Sequence, residues 1–368
     1  MGIKKLNKFL YERNLVNIYD NLGSFIKNKK TYYNTNGNIV IAIDLLLYLY
    51  KYSHAYDSFI IGFWNQISYL LSHRIIPFYV IDNKYLPEKI SVIKSRNKKK
   101  ENLEFRLDNI KNQLNIMQSG LNIDLNIMKT LEIERDKLEK RIIKINKNDI
   151  DLIKEFFNDL GIPYIEAYSE ADILCSKLYK NGYIVSCLSD DMDLLCFGCG
   201  SVIKFSNNKI IEFNLDVILK GLELSKDQFI EMCLLFGCDY LKPNFKMDIN
   251  NIYINIKKYG SIDNILTKNI YPNFSDERSK YFADRYNNIK KIYIDCNDDS
   301  KIKMPSINNE IDINKVIYYI NEYRESTLNY NDKTNLGKCV DYINNHINNK
   351  LLYNNLSFRY VKNITRIS

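Results

Sequence analysis

Histidine is nearly absent from this sequence, with three in 368 residues. That scarcity argues against catalysis by paired imidazoles, and no Ser-His-Asp arrangement can be built. No uninterrupted apolar run approaches membrane-spanning length. The opening MGIKKLNKFL lacks the apolar core of a signal peptide. Its Met-Gly start is not a myristoylation signal, because Leu6 holds the position that motif reserves for Ser or Thr. Proline (6) and glycine (13) are few. Asn, Ile, Lys and Tyr are heavily used, a bias that reads as the mark of an AT-rich genome. Eight scattered cysteines read as reduced thiols of a cytosolic or nuclear protein.

What is present is a chain with 46% hydrophobic residues, enough for one large domain with an appendage or for two domains. Lys and Arg total 52 against 44 Asp and Glu, a net charge of +8. A moderate basic excess is compatible with a nucleic-acid partner without proving one.

The most informative stretch is Gly182–Gly198, GYIVSCLSDDMDLLCFG. An apolar run at Tyr183–Val185 leads into Asp190, Asp191 and Asp193, and the pattern then turns apolar again. That is the pattern of a buried parallel strand followed by a helix start. In open α/β sheets, ligands sit beyond the carboxyl ends of strands, where these acids fall. Taken alone, the stretch also fits a helix N-terminus decorated with Asp and capped by Ser189.

The same pattern recurs. Asn38–Asp44 (NIVIAID) and Arg74–Asp82 (RIIPFYVID) are apolar strands ending in acids, with helical patterns over Leu45–Tyr52 and Ser58–Leu71 between them. Two strands around a helix imply a parallel sheet, so Asp44 and Asp82 share one edge of it. From Lys84 to Arg106 the chain is basic, including KSRNKKK at 94–100, which an ordinary solvated helix face would also explain. Leu107, Ile110, Leu114, Met117 and Leu121 step by three and four. Leu125, Met128, Leu138, Ile142 and Ile145 continue the spacing, which predicts two amphipathic helices meeting near Gly120, or one long broken helix.

Further on, the pattern predicts a helix over Asp149–Leu160, a short strand over Tyr164–Ala167 and a helix over Ile173–Tyr179. Ser169-Glu170-Ala171-Asp172 resembles a capping box, which accounts for Asp172 but not Glu170. A hairpin is expected over Ser201–Phe213, turning at Asn207-Asn208, and a helix over Leu224–Phe236, followed by Gly237-Cys238-Asp239-Tyr240. Beyond about residue 270 a mostly helical extension is all that the pattern suggests.

Asp44, Asp82, Glu170, Asp172, Asp191, Asp193 and Asp239 each follow a strand or open a helix. If they converge, they cannot stay ionised unaided, since two carboxylates ~4 Å apart at an effective dielectric of ~20 repel by about 4 kcal/mol. Either some are protonated or cations fill the gap. Hard oxygen ligands suit Mg²⁺ or Mn²⁺, and two such ions can clamp a phosphodiester, one activating a water and the other stabilising the leaving oxygen.

The motifs MGIKKL, VIAID44, FYVID82, GIPYIEAYSEAD172, SDDMDLLCFG198 and FGCDY240 resemble those of the flap-endonuclease (Rad2/XPG-like) family of structure-specific 5′ nucleases. The resemblance runs, with gaps, from Met1 to about Leu266. All seven family carboxylates have a counterpart, with Asp172 standing where Glu is usual. The composition is most similar to the divergent members of poxviruses and other large DNA viruses.

This resemblance implies an α/β, PIN-like (resolvase-like), mostly parallel sheet flanked by helices. It implies a nuclease domain in two parts, 1–96 and 149–266, a helical arch or cap at 97–148 and a helical extension at 267–368. The implied activity is Mg²⁺-dependent hydrolysis of branched, flapped or broken DNA, with two ions per site. The implied setting is viral replication, recombination and double-strand break repair beside other viral proteins in the host cytoplasm or virion. Lys89 and Arg96 match a pair that stabilises charge on the scissile phosphate, Tyr50 a tyrosine that stacks on a base, and Gly2 a small residue beside the site. Lys94, Lys98, Lys99 and Lys100 become candidates for DNA contact.

One departure stands out. Where the family carries a Gly-x-Gly helix-hairpin that holds K⁺ and touches duplex, this chain has Lys246-Met247-Asp248-Ile249-Asn250. That makes the region a degenerate helix-hairpin-helix, because the tight turn loses its glycines and Asp248 would repel a phosphate. Three rival readings are a four-thiolate zinc site from Cys196, Cys199, Cys233 and Cys238, a DNA-binding scaffold without activity, and a PIN-type ribonuclease.

Overall fold

The computed structural model describes residues 2–33, 38–56, 58–119, 125–207, 209–242, 248–268, 270 and 277–295. Seven strands form one sheet: β1 (Asn17–Tyr19), β2 (Ile39–Asp44), β3 (Ile75–Ile81), β4 (Tyr164–Glu166), β5 (Ser186–Leu188), β6 (Ser201–Ser206) and β7 (Lys209–Asn214). Their order is β1-β7-β6-β5-β2-β3-β4. β2 pairs in parallel with both β3 and β5, and the parallel run extends to β4 and β6. β7 is antiparallel to β6 and to β1. From β2 the chain moves outward through β3 to β4, then crosses back to β5 on the other side. The gap between β2 and β5 is therefore the topological switch point, where the crevice of an open α/β sheet lies.

Both faces of the central strands are covered, which is why these strands read as continuous apolar runs. Side chains alternate in direction along a strand, so Val40 and Ala42 of β2 enter one core while Ile39, Ile41 and Ile43 enter the other. The second core is closed by α2 (Leu22–Tyr33), α3 (Leu45–Ala55), α4 (Phe59–Ser72) and α7 (Lys147–Asp159). The first is closed by α1 (Leu6–Tyr11), α8 (Ala171–Lys180), α9 (Asp193–Cys196), α10 (Leu215–Leu222) and α11 (Lys226–Phe236). Beyond these it takes in α12 (Ile249–Tyr259), α13 (Ile262–Thr267) and α14 (Glu277–Asp295).

Between α4 and α7 stand α5 (Ile90–Ser119) and α6 (Leu125–Arg141), packed on each other through Leu107, Ile110, Leu114 and Leu138. Met128 and Ile142 join this seam, but Leu125, expected in the stripe, is exposed, and Ile145 packs on the sheet domain instead. Ion pairs Arg106–Glu134, Lys111–Glu139 (2.7 Å) and Lys144–Glu104 (3.0 Å) line the hairpin. Helix α5 takes in most of the basic segment and runs unbroken through residues 96 and 97.

Several local expectations shift. Strand β5 begins at Ser186, so Tyr183–Val185 precede it, although the Val185 N–H already donates to Val40 O at 2.9 Å. The 169–172 capping box does not form. Glu170 is the N-cap of α8 and makes no side-chain cap bond. Strand β1 and helix α2 come without a sequence signal that singled them out. The expected turn at Asn207-Asn208 joins β6 to β7, with Asn207 left-handed (φ 47°) and Asn208 outside the described residues. Gly120, Leu121, Lys246 and Met247 also lie outside them, whereas Asp248 caps α12 by accepting from Asn251 N at 3.1 Å.

A buried ion pair fixes α2 to the sheet. Lys29 is 3% exposed and Glu212 1%. The Lys29 ammonium donates to Glu212 and to Ser201 Oγ (3.0 Å), while Tyr19 OH donates to Glu212 at 2.8 Å. Burial alone would raise Glu212, but Lys29 outweighs it and holds the carboxyl below its usual value. Lys29→Met, which strands that carboxylate, is expected to cost about 3–5 kcal/mol in urea unfolding. Lys29→Met/Glu212→Leu is expected to recover most of the loss. An equal loss in both variants would mean that the pair is not what holds α2.

Candidate active site

The carboxyl ends of the parallel strands all open on one edge of the sheet, and the seven acids collect there. Asp44 closes β2 and caps α3, accepting from Leu47 N at 3.2 Å. Asp82 follows β3 and accepts from Ala171 N, so a carboxylate from another strand caps the start of α8. Glu170 accepts from Lys89 Nζ (2.9 Å), from Leu86 N (3.4 Å) and from Tyr240 OH. Asp191 Oδ1 accepts from Asp193 N at 2.9 Å, and Ser189 Oγ accepts from Asp191 N at 3.0 Å. Asp193 opens α9, and Asp239 follows α11 and pairs with Arg96.

Three oxygens stand out by what they lack. Asp172 Oδ1 and both carboxylate oxygens of Asp193 are buried without a hydrogen-bond partner. Unpaired buried carboxylate oxygens are costly, and they are hard donors of the kind that Mg²⁺ or Mn²⁺ takes. Among the described residues, no three Asp, Glu, His or Cys side chains are drawn together tightly enough to hold an ion as they stand. The donor set fits a divalent cation, whose charge would draw it together.

The electrostatics tie the acids into one group. Burial, then Asp82, pushes Asp44 up to about 7. Burial, then Asp191, holds Asp172 and Asp193 well above the usual carboxylate range, and burial also raises Asp82 and Asp191. Burial would lower Lys89, but Asp172 and Glu170 outweigh it and keep its ammonium charged above its usual value.

Lys89 lies in a single 3₁₀ turn (Pro87–Lys89) ahead of α5, and Arg96 lies two turns into that helix. Lys89 pairs with Glu170 (2.9 Å) and Arg96 with Asp239. Gly2 lies against Asp191 with φ +74°, and a Cβ there would sit 2.0 Å from Asp191 Oδ1. Only glycine combines that backbone with that approach. The Lys4 N–H donates to Gly237 O at 3.0 Å, so the N-terminal segment bridges the Asp191 and Asp239 loops. Tyr50 is 45% exposed on α3. Lys94, Lys98 and Lys99 are exposed on α5, whereas Lys100 turns inward to donate to Ile143 O at 2.7 Å.

Asp190, part of the same motif, stays outside the group and pairs with Lys51 at 2.5 Å. Tyr240 carries a role that was not foreseen, since its hydroxyl anchors Glu170. Its position directly after Asp239 was the only sequence signal. The four-thiolate site does not form. Cys199 Sγ lies 3.3 Å from Cys187 Sγ, while Cys196 neighbours Cys233, and all are buried.

Residues 161–239 match the XPG I-region family. The chain is 27% identical over 304 residues to Flap endonuclease 1 of Enterocytozoon bieneusi, covering 77% of this chain and 78% of that protein. Further flap endonucleases match over a third to just over half of their own length. The catalytic core of Rad2 in complex with DNA substrate superposes with a TM-score of 0.52 at 21% identity, covering 87% of each chain. The Holliday junction-resolving enzyme GEN1, in complex with product DNA and Mg²⁺, gives 0.51 at 14% identity, covering 86% of this chain and 73% of that one. The fold is thus that of the PIN-like nucleases. The XPG I-region match and the flap endonuclease relatives support assignment of the chain to the Rad2/XPG-like flap-endonuclease family of nucleases.

Proposed function

We propose that this protein is a Mg²⁺-dependent, structure-specific 5′ DNA nuclease that hydrolyses phosphodiester bonds of branched, flapped or broken DNA. The observation that carries this reading is the set of unpartnered oxygens on Asp172 and Asp193 within a ring of five more acids, bracketed by Lys89 and Arg96. Asp44, Asp82, Glu170, Asp172, Asp191, Asp193 and Asp239 would hold two Mg²⁺, with Mn²⁺ as a substitute. When bound, these ions would supply a lowered pKa for the attacking water and countercharge for the leaving oxygen.

The chain's own residues do the positioning. The Asp193 N–H holds Asp191 Oδ1, and Gly2, lacking a Cβ, leaves that same oxygen room. Tyr240 and the Leu86 N–H aim Glu170. Lys89 and Arg96 now neutralise Glu170 and Asp239, and a scissile phosphate at the cluster would draw both cations to itself, Arg96 with a bidentate fork. The α5–α6 hairpin, whose first helix carries Arg96 to Asp239, would serve as the arch, and Tyr50 offers an exposed ring for a base. The resemblance to large-DNA-virus members supports a role in viral replication, recombination and break repair, in the host cytoplasm. The scaffold alternative predicts missing acids, and all seven are present.

Two outcomes follow. On a panel of 5′-labelled branched DNAs with Mg²⁺, the wild type is expected to cut, and Asp191→Ala to cut roughly 10²–10³-fold more slowly. Equal cutting by both would remove the assigned site, and no cutting by either would favour the scaffold. Stability gives a second test. Asp44, raised to about 7, binds a proton in the folded state over the range above its ordinary value where the unfolded chain has lost it. The stability this gives is lost as pH rises through about 7. Metal-free protein is therefore expected to melt at lower temperature at pH 8 than at pH 5.5. Mg²⁺ at a hundred times its Kd should restore ~2–3 kcal/mol at pH 8. Melting indifferent to Mg²⁺ would count against the metal site.

A further inference from the structure

Two loops at the edge of the acidic cluster are tied together through their backbones. Ser169 O accepts from Asn83 N (3.1 Å) and from Lys84 N (3.4 Å), and Glu170 Oε1 accepts from Leu86 N (3.4 Å). Tyr85 lies between the two tied residues of one loop, and Tyr168 directly precedes Ser169 on the other. The Ala167 N–H donates to Ile81 O at 2.8 Å, which fixes the backbone on the far side of Tyr168. Both loops are therefore held at their bases while their rings project.

Those rings are open to water, Tyr85 at 60% and Tyr168 at 92% exposure. Among the described residues most tyrosines are buried or half-buried, and neither of these two makes a ring–ring contact. Tyr50, on α3, stands close enough for the charge of the Tyr85 phenol to act on it. Each of the three aromatics lies a few residues along the chain from an acid of the cluster: Asp44, Asp82 and Glu170 in turn. Lys84 directly precedes Tyr85, which places a cation for a phosphate next to the exposed ring along the chain.

We propose that Tyr85 and Tyr168 form a stacking platform for unpaired bases of the DNA strand that enters the acidic site. The platform rests on the nuclease reading above and extends it, selecting substrates with single-stranded nucleotides next to the scissile phosphate. Aromatic faces bind any base, because every base has a π face, so the selection is for unpaired structure rather than sequence. A DNA strand is favoured over a protein partner, because Lys84 adjoins Tyr85 and the two loops carry Asp82 and Glu170 of the proposed nuclease site.

The test uses the full chain with Ca²⁺ replacing Mg²⁺, and gels of the same samples to verify that the DNA stays uncut. Binding is read by anisotropy on a duplex with a single-stranded 5′ tail and on a blunt duplex, with 2-aminopurine in the tail reporting stacking. Tyr85→Ala/Tyr168→Ala is expected to bind the tailed DNA roughly tenfold more weakly. It should lose the 2-aminopurine change and bind the blunt duplex as the wild type does. Tyr85→Phe/Tyr168→Phe should match the wild type on both. Unchanged binding of tailed DNA by the Ala variant overturns the platform while leaving the nuclease reading in place. An equal loss on both DNAs overturns it too, because the rings would then serve the duplex or the fold. A wild type that binds neither DNA overturns both readings.

Discussion

Carboxylates that share a water-poor space repel one another, and seven of them meet where β2, β3, β4 and β5 end. The repulsion is visible in the raised values of Asp44, Asp82, Asp172, Asp191 and Asp193, each led by burial and reinforced by its neighbours. Lys89, Arg96, four backbone amides and one phenol hold part of that charge. They leave Asp172 Oδ1 and both oxygens of Asp193 without a hydrogen-bond partner, which is the observation that the proposed cations would account for. The strands, caps and loops around it hold these carboxylates together against that repulsion.

That support comes from distant parts of the chain. The N-terminal segment brings Gly2 against Asp191 and ties to Gly237, next to the loop that carries Asp239. Helix α14 reaches the same region from the other end. Its buried Tyr293 ring lies 4.8 Å from Phe197 and 5.7 Å from Tyr240, and its Lys290 pairs with Glu231 of α11 at 2.6 Å. Since Tyr240 in turn anchors Glu170, packing by the helix beyond residue 270 bears on the aim of an acid in the cluster. Buried, close-packed aromatic contacts transmit such constraints because interiors are stiff.

The central sheet was legible because its strands are buried on both faces and therefore unbroken in hydrophobicity. NIVIAID and RIIPFYVID left little alternative, and each ends in the acid that the structure puts at the sheet edge. The α5–α6 seam was legible from the spacing of Leu107, Ile110 and Leu114. Edges were not. Strand β1 has three residues with a half-exposed pattern, and β5 starts at Ser186, three residues into the apolar run, with a single bond from Val185 N to Val40 O ahead of it. The capping box at 169–172 does not form because α8 opens one residue later, with Glu170 as its N-cap, and Asp82, 89 residues from Ala171, accepts from the Ala171 N–H. The convergence of the acids could be argued from sequence, but not which oxygens stay unpaired, nor that Asp190 turns away to Lys51. Those outcomes depend on side-chain placement that no spacing rule encodes.

The central claim is that divalent cations lie among these carboxylates, and anomalous diffraction from crystals soaked in Mn²⁺ near pH 7.5 tests it most directly. The account predicts anomalous peaks within about 2–2.5 Å of oxygens from Asp172, Asp193 and their acidic neighbours, absent from crystals of Asp193→Asn. Peaks confined to other parts of the surface, or a cluster that stays closed on Lys89 and Arg96 at saturating Mn²⁺, would contradict it.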